Sequence, residues 1–219
     1  MTNKHKAYWL IAVILLVILA DQVLKIWIKT NMNYGEEFEI LGLSWARIHF
    51  VENEGMAFGF AFGGDAGKIF LSLFRIVAVS FIAYILFKLI QSGQSLSLLI
   101  SLGLIFAGAM GNIIDSAFYG LIFSESPYFG PTAELFPVEG GYAPFLMGRV
   151  VDMLYFPVID THWPEWIPMV GGSKFQFFKP VFNIADAAIT TGVISILLFH
   201  RSFFQDGGPI LGAKQEEEE

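Results

Sequence analysis

The stretch VFNIADAAITTGVISILLFH, residues 181–200, decides how the chain is read. Its apolar run approaches the roughly 20 residues that carry a helix across a hydrocarbon core. Asp186 interrupts it six residues in, with no Lys or Arg within a helical turn on either side. A carboxylate inserted there costs a few kcal/mol, so it is expected to face a cavity or a neighbouring helix. The plain alternative is a buried, protonated aspartate bonded to nearby backbone.

The rest of the chain agrees with a membrane reading. Of its 219 residues, 55% are hydrophobic and 15% charged, and the mean hydropathy is +0.60. Soluble domains carry about a quarter charged residues. Four spans are predicted, near 7–29, 68–90, 95–117 and 181–200. The first lacks a small-x-small cleavage site and is expected to be retained. Lys4 and Lys6, Lys88 and Arg201 fall on one side, which the positive-inside rule makes cytoplasmic. Both termini then lie in the cytoplasm, and residues 30–67 and 118–180 lie outside. The fold class predicted is an α-helical membrane protein, one membrane-embedded domain over 1–219. Its small extracytoplasmic β-sheet comes from the alternating segment 30–67. A long extracytoplasmic insertion over 118–180 is rich in Pro, Gly and aromatic residues, of which Trp163, Trp166 and Tyr155 suit a headgroup layer. The acidic tail, about 206–219, reads as a disordered end.

Several function classes drop out. The net charge is −7, of which the terminal EEEE supplies four, so no basic patch points to nucleic acid. With no cysteine there is no disulfide, thiolate nucleophile or thiolate metal site. The four histidines are scattered and form no zinc helix. FGGDAGKI (62–69) lacks the spacing and the Ser/Thr of a phosphate loop. No metal or cofactor is implied.

The intramembrane polar residues gather at one end. Asp21 and Lys25 are spaced i,i+4, Asn112 and Asp115 i,i+3, and Asn183 and Asp186 i,i+3. Each pair shares a helical face, and all three fall near the outer interface. Asp152, in GRVVDMLYF, belongs to the segment that returns to the same layer. Asp21 and Lys25 have a simple reading as a mutually neutralising pair. Gly103, Ala107 and Gly111, and likewise Ala188 and Gly192, recur every four residues and make flat faces, beside which a substrate helix is expected to lie. Two carboxylates brought together in a dry site share one proton, which supplies a general base and a general acid side by side. That pattern suits aspartyl proteolysis. A proton-coupled carrier would use the same acids but spread them over several depths. A non-enzymatic assembly protein would tolerate Asn at either one.

These residues resemble the lipoprotein signal peptidases (signal peptidase II). The matching stretches are DQVLK (21–25), VENEGMAFG (51–59), GNIID (111–115), VVDM (150–153) and FNIADAAITTG (182–192), in the family's order. The resemblance implies an aspartic endopeptidase of the bacterial inner membrane, a monomeric enzyme of four spans whose active site lies near the outer face. It implies removal of the signal peptide from diacylglyceryl-modified prolipoproteins just before the lipidated cysteine, by an Asp152–Asp186 dyad that activates water. Asn53, Gly55, Asn112 and Asn183 would hold the substrate backbone or the dyad, Asp21 and Lys25 would shape the site, and Asp115 would anchor the loop carrying Asp152. Phe58, Phe60 and Phe62 are expected to cover the site or touch lipid. Two departures stand out. Ser116 follows Asp115 where the family usually has Arg, a role Arg149 is a candidate to fill, and the connection from Asp115 to Asp152 is long.

Overall fold

The structure, a computed structural model, describes residues 1–54, 64–157, 159–177 and 180–201. Gly55, Phe58, Phe60, Phe62 and the acidic tail lie outside the described residues. Four helices form the bundle: α1 (Asn3–Asn31), α2 (Gly64–Gln91), α3 (Leu96–Ile114) and α5 (Ile184–Phe199). α3 does not stop at the expected residue 117. It runs on through a π turn, Asp115–Tyr119, into the short α4, Gly120–Ile122. Among the described residues, three stretches are long and apolar enough to cross a membrane: Asn3–Asn31, Ala66–Gln91 and Leu96–Ile122.

The fourth is shorter than the sequence suggests. α5 has 16 residues, about 24 Å of helix, because its expected first turn is taken apart. Val181–Phe182 form strand β6, and Asn183 caps the helix in a reciprocal box with Asp186. The Asp186 N–H donates to Asn183 Oδ1 at 2.9 Å, and the Asn183 N–H donates to Asp186 Oδ2 at 3.4 Å. Capping satisfies N–H groups that a helix start otherwise leaves bare. Asp186 is thus a first-turn residue, not an intrusion in mid-helix.

The sheet draws on both connecting segments, not on 30–67 alone. β1 (Glu37–Ile40), β2 (Leu43–Asn53), β3 (Val150–Tyr155) and β6 pair antiparallel in the order β1-β2-β3-β6. β4 (Ile159–His162) and β5 (Lys174–Phe177) form a separate hairpin. Along β2, Ala46, Ile48 and Phe50 are buried at period two, as a half-covered strand requires. Ile48 and Phe50 pack with Val151 and Met153 of β3, with Ile28 and Met32 from the end of α1, and with Tyr119 and Phe123. At the opposite end of the bundle Leu10, Leu86, Leu89, Leu98, Leu99 and Ile196 form a second, wholly aliphatic core.

Helices α3 and α5 approach closely. A Cβ at Gly108 would run into the carbonyl oxygen of Ala185, and one at Gly192 into that of Ser101. Gly103 faces the Leu10 side chain of α1, and Ala107 is fully buried. The small-residue faces are therefore covered by the chain's own helices, and a substrate helix is not expected to lie in them. Flat faces let backbones meet, and the intramolecular partner takes the place.

Candidate active site

Three elements bring Asp152 and Asp186 into one hydrogen-bonded unit. Asp186 is held by the α5 cap described above, and its Oδ1 accepts from Asn112 Nδ2 of α3 at 2.9 Å. Asp152 sits in β3, opposite Val51 of β2, where four successive residues of the strand are buried. Its Oδ1 accepts from Asn183 Nδ2 at 2.7 Å, and its Oδ2 from Asn53 Nδ2 at 3.4 Å. Asn53 pairs with Val150, so it reaches Asp152 along the diagonal of the same sheet face. Asn183 is the joint between the two acids. Its side-chain oxygen caps Asp186, and its amide donates to Asp152, to Asn112 Oδ1 at 3.1 Å and to the Val151 carbonyl at 3.3 Å.

Beneath this unit lies a second layer of charge. Lys25 Nζ meets Asp115 Oδ2 at 2.7 Å, Asp21 Oδ2 at 2.9 Å and Asn112 Oδ1 at 3.0 Å. An ammonium has three protons, and all are used. The simple Asp21–Lys25 pair is therefore a triad that also binds α3. The same contact orients Asn112: with Oδ1 facing a cation, its amide must point at Asp186. Asp21 Oδ1 accepts the Ala185 N–H at 2.9 Å and so satisfies another donor at the start of α5. Asp115 Oδ2 accepts the Val151 N–H at 3.2 Å, one residue before Asp152. Each supporting acid thus fixes the backbone next to one member of the pair.

Burial pushes the Asp152 carboxyl up to about 7, and the neighbouring Asp186 charge adds to the rise. Lys25 and the amides of Asn53 and Asn183 pull the other way without cancelling it. Asp186 accepts its donors at the N-terminal end of α5, where the helix dipole is positive. Two carboxylates sharing donors in a water-poor setting, one of them disposed to hold a proton near neutrality, form an acid–base pair able to activate water.

Arg149 lies elsewhere. Its Nε meets Glu54 Oε1 at 3.1 Å, and its Nη1 meets Glu52 Oε2 at 3.2 Å and Glu125 Oε1 at 3.0 Å. Burial opposes its charge, but Glu125, Glu52 and Glu54 outweigh burial and hold the guanidinium above its usual range. A side chain committed to three carboxylates is not placed to fill the position of an arginine after Asp115. Ser116 at that position is buried and donates to the Asn112 carbonyl at 3.1 Å.

Sequence reading singled out neither Gln22 nor Lys29, Glu52 and Arg75. Gln22 Nε2 donates to Asp115 Oδ1 at 2.9 Å, and its Oε1 accepts from Tyr119 Oη at 3.1 Å. Lys29 pairs with Glu52 and donates to Ser126 Oγ at 2.6 Å. Polar residues on the faces of α1 already bearing Asp21 and Lys25 were the available signal, since 22, 25 and 29 follow helical spacing. For Arg75 the signal was a lone arginine inside an apolar span.

The family model for signal peptidase II matches residues 13–203. The lipoprotein signal peptidase of Porphyromonas gingivalis is 52% identical over 188 residues, covering 85% of this chain and 80% of that protein. The lipoprotein signal peptidase of Amoebophilus asiaticus is 38% identical over 208 residues, covering 94% and 82%. A bacterial membrane enzyme solved by the in meso method at 1.9 Å resolution superposes with a TM-score of 0.58 at 26% identity, over 88% of this chain and 92% of that one. A second, at 2.3 Å, gives 0.56 at 24% identity over 96% and 93% and shares the fold.

Proposed function

The chain belongs to the signal peptidase II family, and we propose that it is an aspartic endopeptidase that removes the signal peptide from diacylglyceryl-modified prolipoproteins, just before the lipidated cysteine. The observation that carries this reading is the union of Asp152 and Asp186 through Asn183 and Asn112 at one end of a membrane bundle. Asp152 enters as the acid and Asp186 as the base. A water between them loses a proton to Asp186 as its oxygen attacks the scissile carbonyl carbon, and Asp152 gives its proton to the carbonyl oxygen. The gem-diol then collapses. Its hydroxyl proton returns to Asp152, Asp186 delivers its proton to the leaving nitrogen, and the C–N bond breaks. The products are the signal peptide with a new carboxyl terminus and a lipidated cysteine with a free amine. Microscopic proton assignments in such a pair interchange along the cycle.

The membrane placement follows the charges. Lys6 Nζ donates to the Gly93 and Gln94 carbonyls at 2.8 and 2.7 Å, which gathers the basic N-terminus and the α2–α3 turn at one end. By the positive-inside rule that end is cytoplasmic, and the sheet and dyad then lie at the outer face of the inner membrane. The two acyl chains of the substrate remain in lipid, since each methylene withdrawn costs about 0.8 kcal/mol.

A gel-shift assay in detergent micelles with a diacylglyceryl-modified prolipoprotein tests the mechanism. Asp152→Asn and Asp186→Asn, each shown to be folded, should lose at least about a thousandfold in kcat, as paired acid–base groups do when one is removed. Retention of cleavage in either variant would falsify the dyad.

A further inference from the structure

α2 contributes to the site through one residue. Ser72, Val79, Leu86 and Leu89 are buried along it, a stripe at helical spacing that faces the bundle. Arg75 falls on that stripe between the first two and is half-buried. Its neighbours Leu73, Phe74, Ile76 and Val77 are exposed on the faces that meet lipid. One turn away, Ser72 Oγ donates to the Leu146 carbonyl at 3.2 Å. That face of α2 therefore meets the segment that continues through Gly148, whose N–H donates to the Ser116 carbonyl at 2.9 Å, into Asp152. Ionisable residues within spans turn inward and mark functional positions.

The charge balance of the site calls for a cation there. Asp21 and Lys25 come from α1, Asp115 from the π turn, Asp152 from β3 and Asp186 from α5, while β2 offers the neutral amide of Asn53. Lys25 is already shared between Asp21, Asp115 and Asn112. Among the charges acting on the Arg75 guanidinium are those of Asp186, Asp115 and Asp152, that of Asp186 the largest of the three. Taking Asp152 and Asp186 as the reacting pair, we infer that Arg75 is a positioning residue that supplies the opposing charge to the dyad from the α2 side and keeps one of the two carboxylates ionised as the base.

The sign of the effect is definite. Without a nearby cation both ionisations of a coupled acid pair become harder, so the acid limb of the kcat/KM–pH profile moves to higher pH. The measurement is cleavage of a fluorogenic diacylglyceryl-modified prolipoprotein peptide in micelles from pH 4.5 to 9. Arg75→Gln should move the limb up by about one pH unit, the size expected of a unit charge several ångströms away at intermediate dielectric. Arg75→Lys, which keeps the positive charge, should leave it within about 0.3 unit. The chain has no cysteine, so Arg75→Cys allows a comparison within one folded protein. An aminoethyl disulfide adduct should return the limb to the wild-type position, and a methyl disulfide adduct should not. Equal limbs for the two adducts, or an unmoved limb in Arg75→Gln, overturn the role of Arg75. Asp152→Asn and Asp186→Asn measured alongside separate the two ideas: activity in either one overturns the dyad itself, whereas silence in both with an unmoved Arg75→Gln limb overturns only the inference about Arg75.

Discussion

Two ion clusters flank the β2–β3 pair, and they are built to different standards. The one around Lys25 is closed: Lys25 and Asp115 have no exposed side-chain surface and Asp21 has 1%. The one around Arg149 is open, with Arg149 itself 31% exposed, Glu54 47% and Glu125 68%. Only its inner edge, where Glu52 meets Lys29 and Ser126, is sealed. Charge removed from water is worth much when its partners are complete and costs much when one is lost, whereas exposed pairs are screened. The closed cluster also bonds the backbone beside each catalytic candidate, through Val151 and Ala185. The open one ties strand ends and loops together. The difference separates the part of the molecule that sets the geometry of Asp152 and Asp186 from the part that frames it.

The sharpest way to break the comparison is Lys25→Met. It leaves Asp21 and Asp115 buried without their ion-pair partner and frees the Asn112 amide to flip, so a loss of about 3–5 kcal/mol is expected. Thermal unfolding in detergent reports it, together with loss of cleavage. The double variant Lys25→Met/Asp115→Asn should be less destabilised than the two single losses added, because the orphaned carboxylate is gone. Strict additivity would mean that the cluster is not one unit.

An effect of intermediate size comes from pH. The Asp152 carboxyl stands near 7 in the fold, against about 3.9 in an unfolded chain. The folded state therefore binds more protons between those values. The stability this contributes is complete below about pH 4 and is lost as pH rises through about 7, with a slope of at most about 1.4 kcal/mol per pH unit. Apparent Tm in micelles from pH 4 to 8 should fall more steeply for the wild type than for Asp152→Asn, which cannot titrate there. Parallel curves would remove Asp152 as the raised group.

How much of this was legible depended on range along the chain. The three long spans and the i,i+3 and i,i+4 polar pairs lie within a helical turn or two and follow from hydropathy and periodicity. The start of α5 did not, because Val181 and Phe182 are as apolar as a helix interior and only their pairing with Tyr155 and Leu154 makes them strand. Strand β3 joins β2 across about a hundred residues, with Val51 opposite Asp152, and no local pattern specifies that partner. Gln22 and Arg75 look like single polar intrusions until the helices are packed. The small-residue faces were visible, but a flat face does not say which helix will fill it. What the sequence showed well was which residue types the site holds; which of them touch was decided by packing.

The smallest effect belongs to the rim. Glu125 meets Arg149 at 3.0 Å but is mostly in solvent, and Arg149 keeps Glu52 and Glu54 when that contact is lost. Glu125→Gln should therefore cost no more than about 0.5 kcal/mol, less still at high salt, and leave the rate of cleavage within about twofold. Glu52→Gln, at the sealed edge of the same cluster, should cost several times more, because Lys29 is fully buried and loses its only ion-pair contact among the described residues. Measured side by side, the two variants test whether burial rather than membership of a network sets the worth of each pair. Equal losses would mean that the open cluster acts as a single unit after all, and that the line between the two clusters has been drawn in the wrong place.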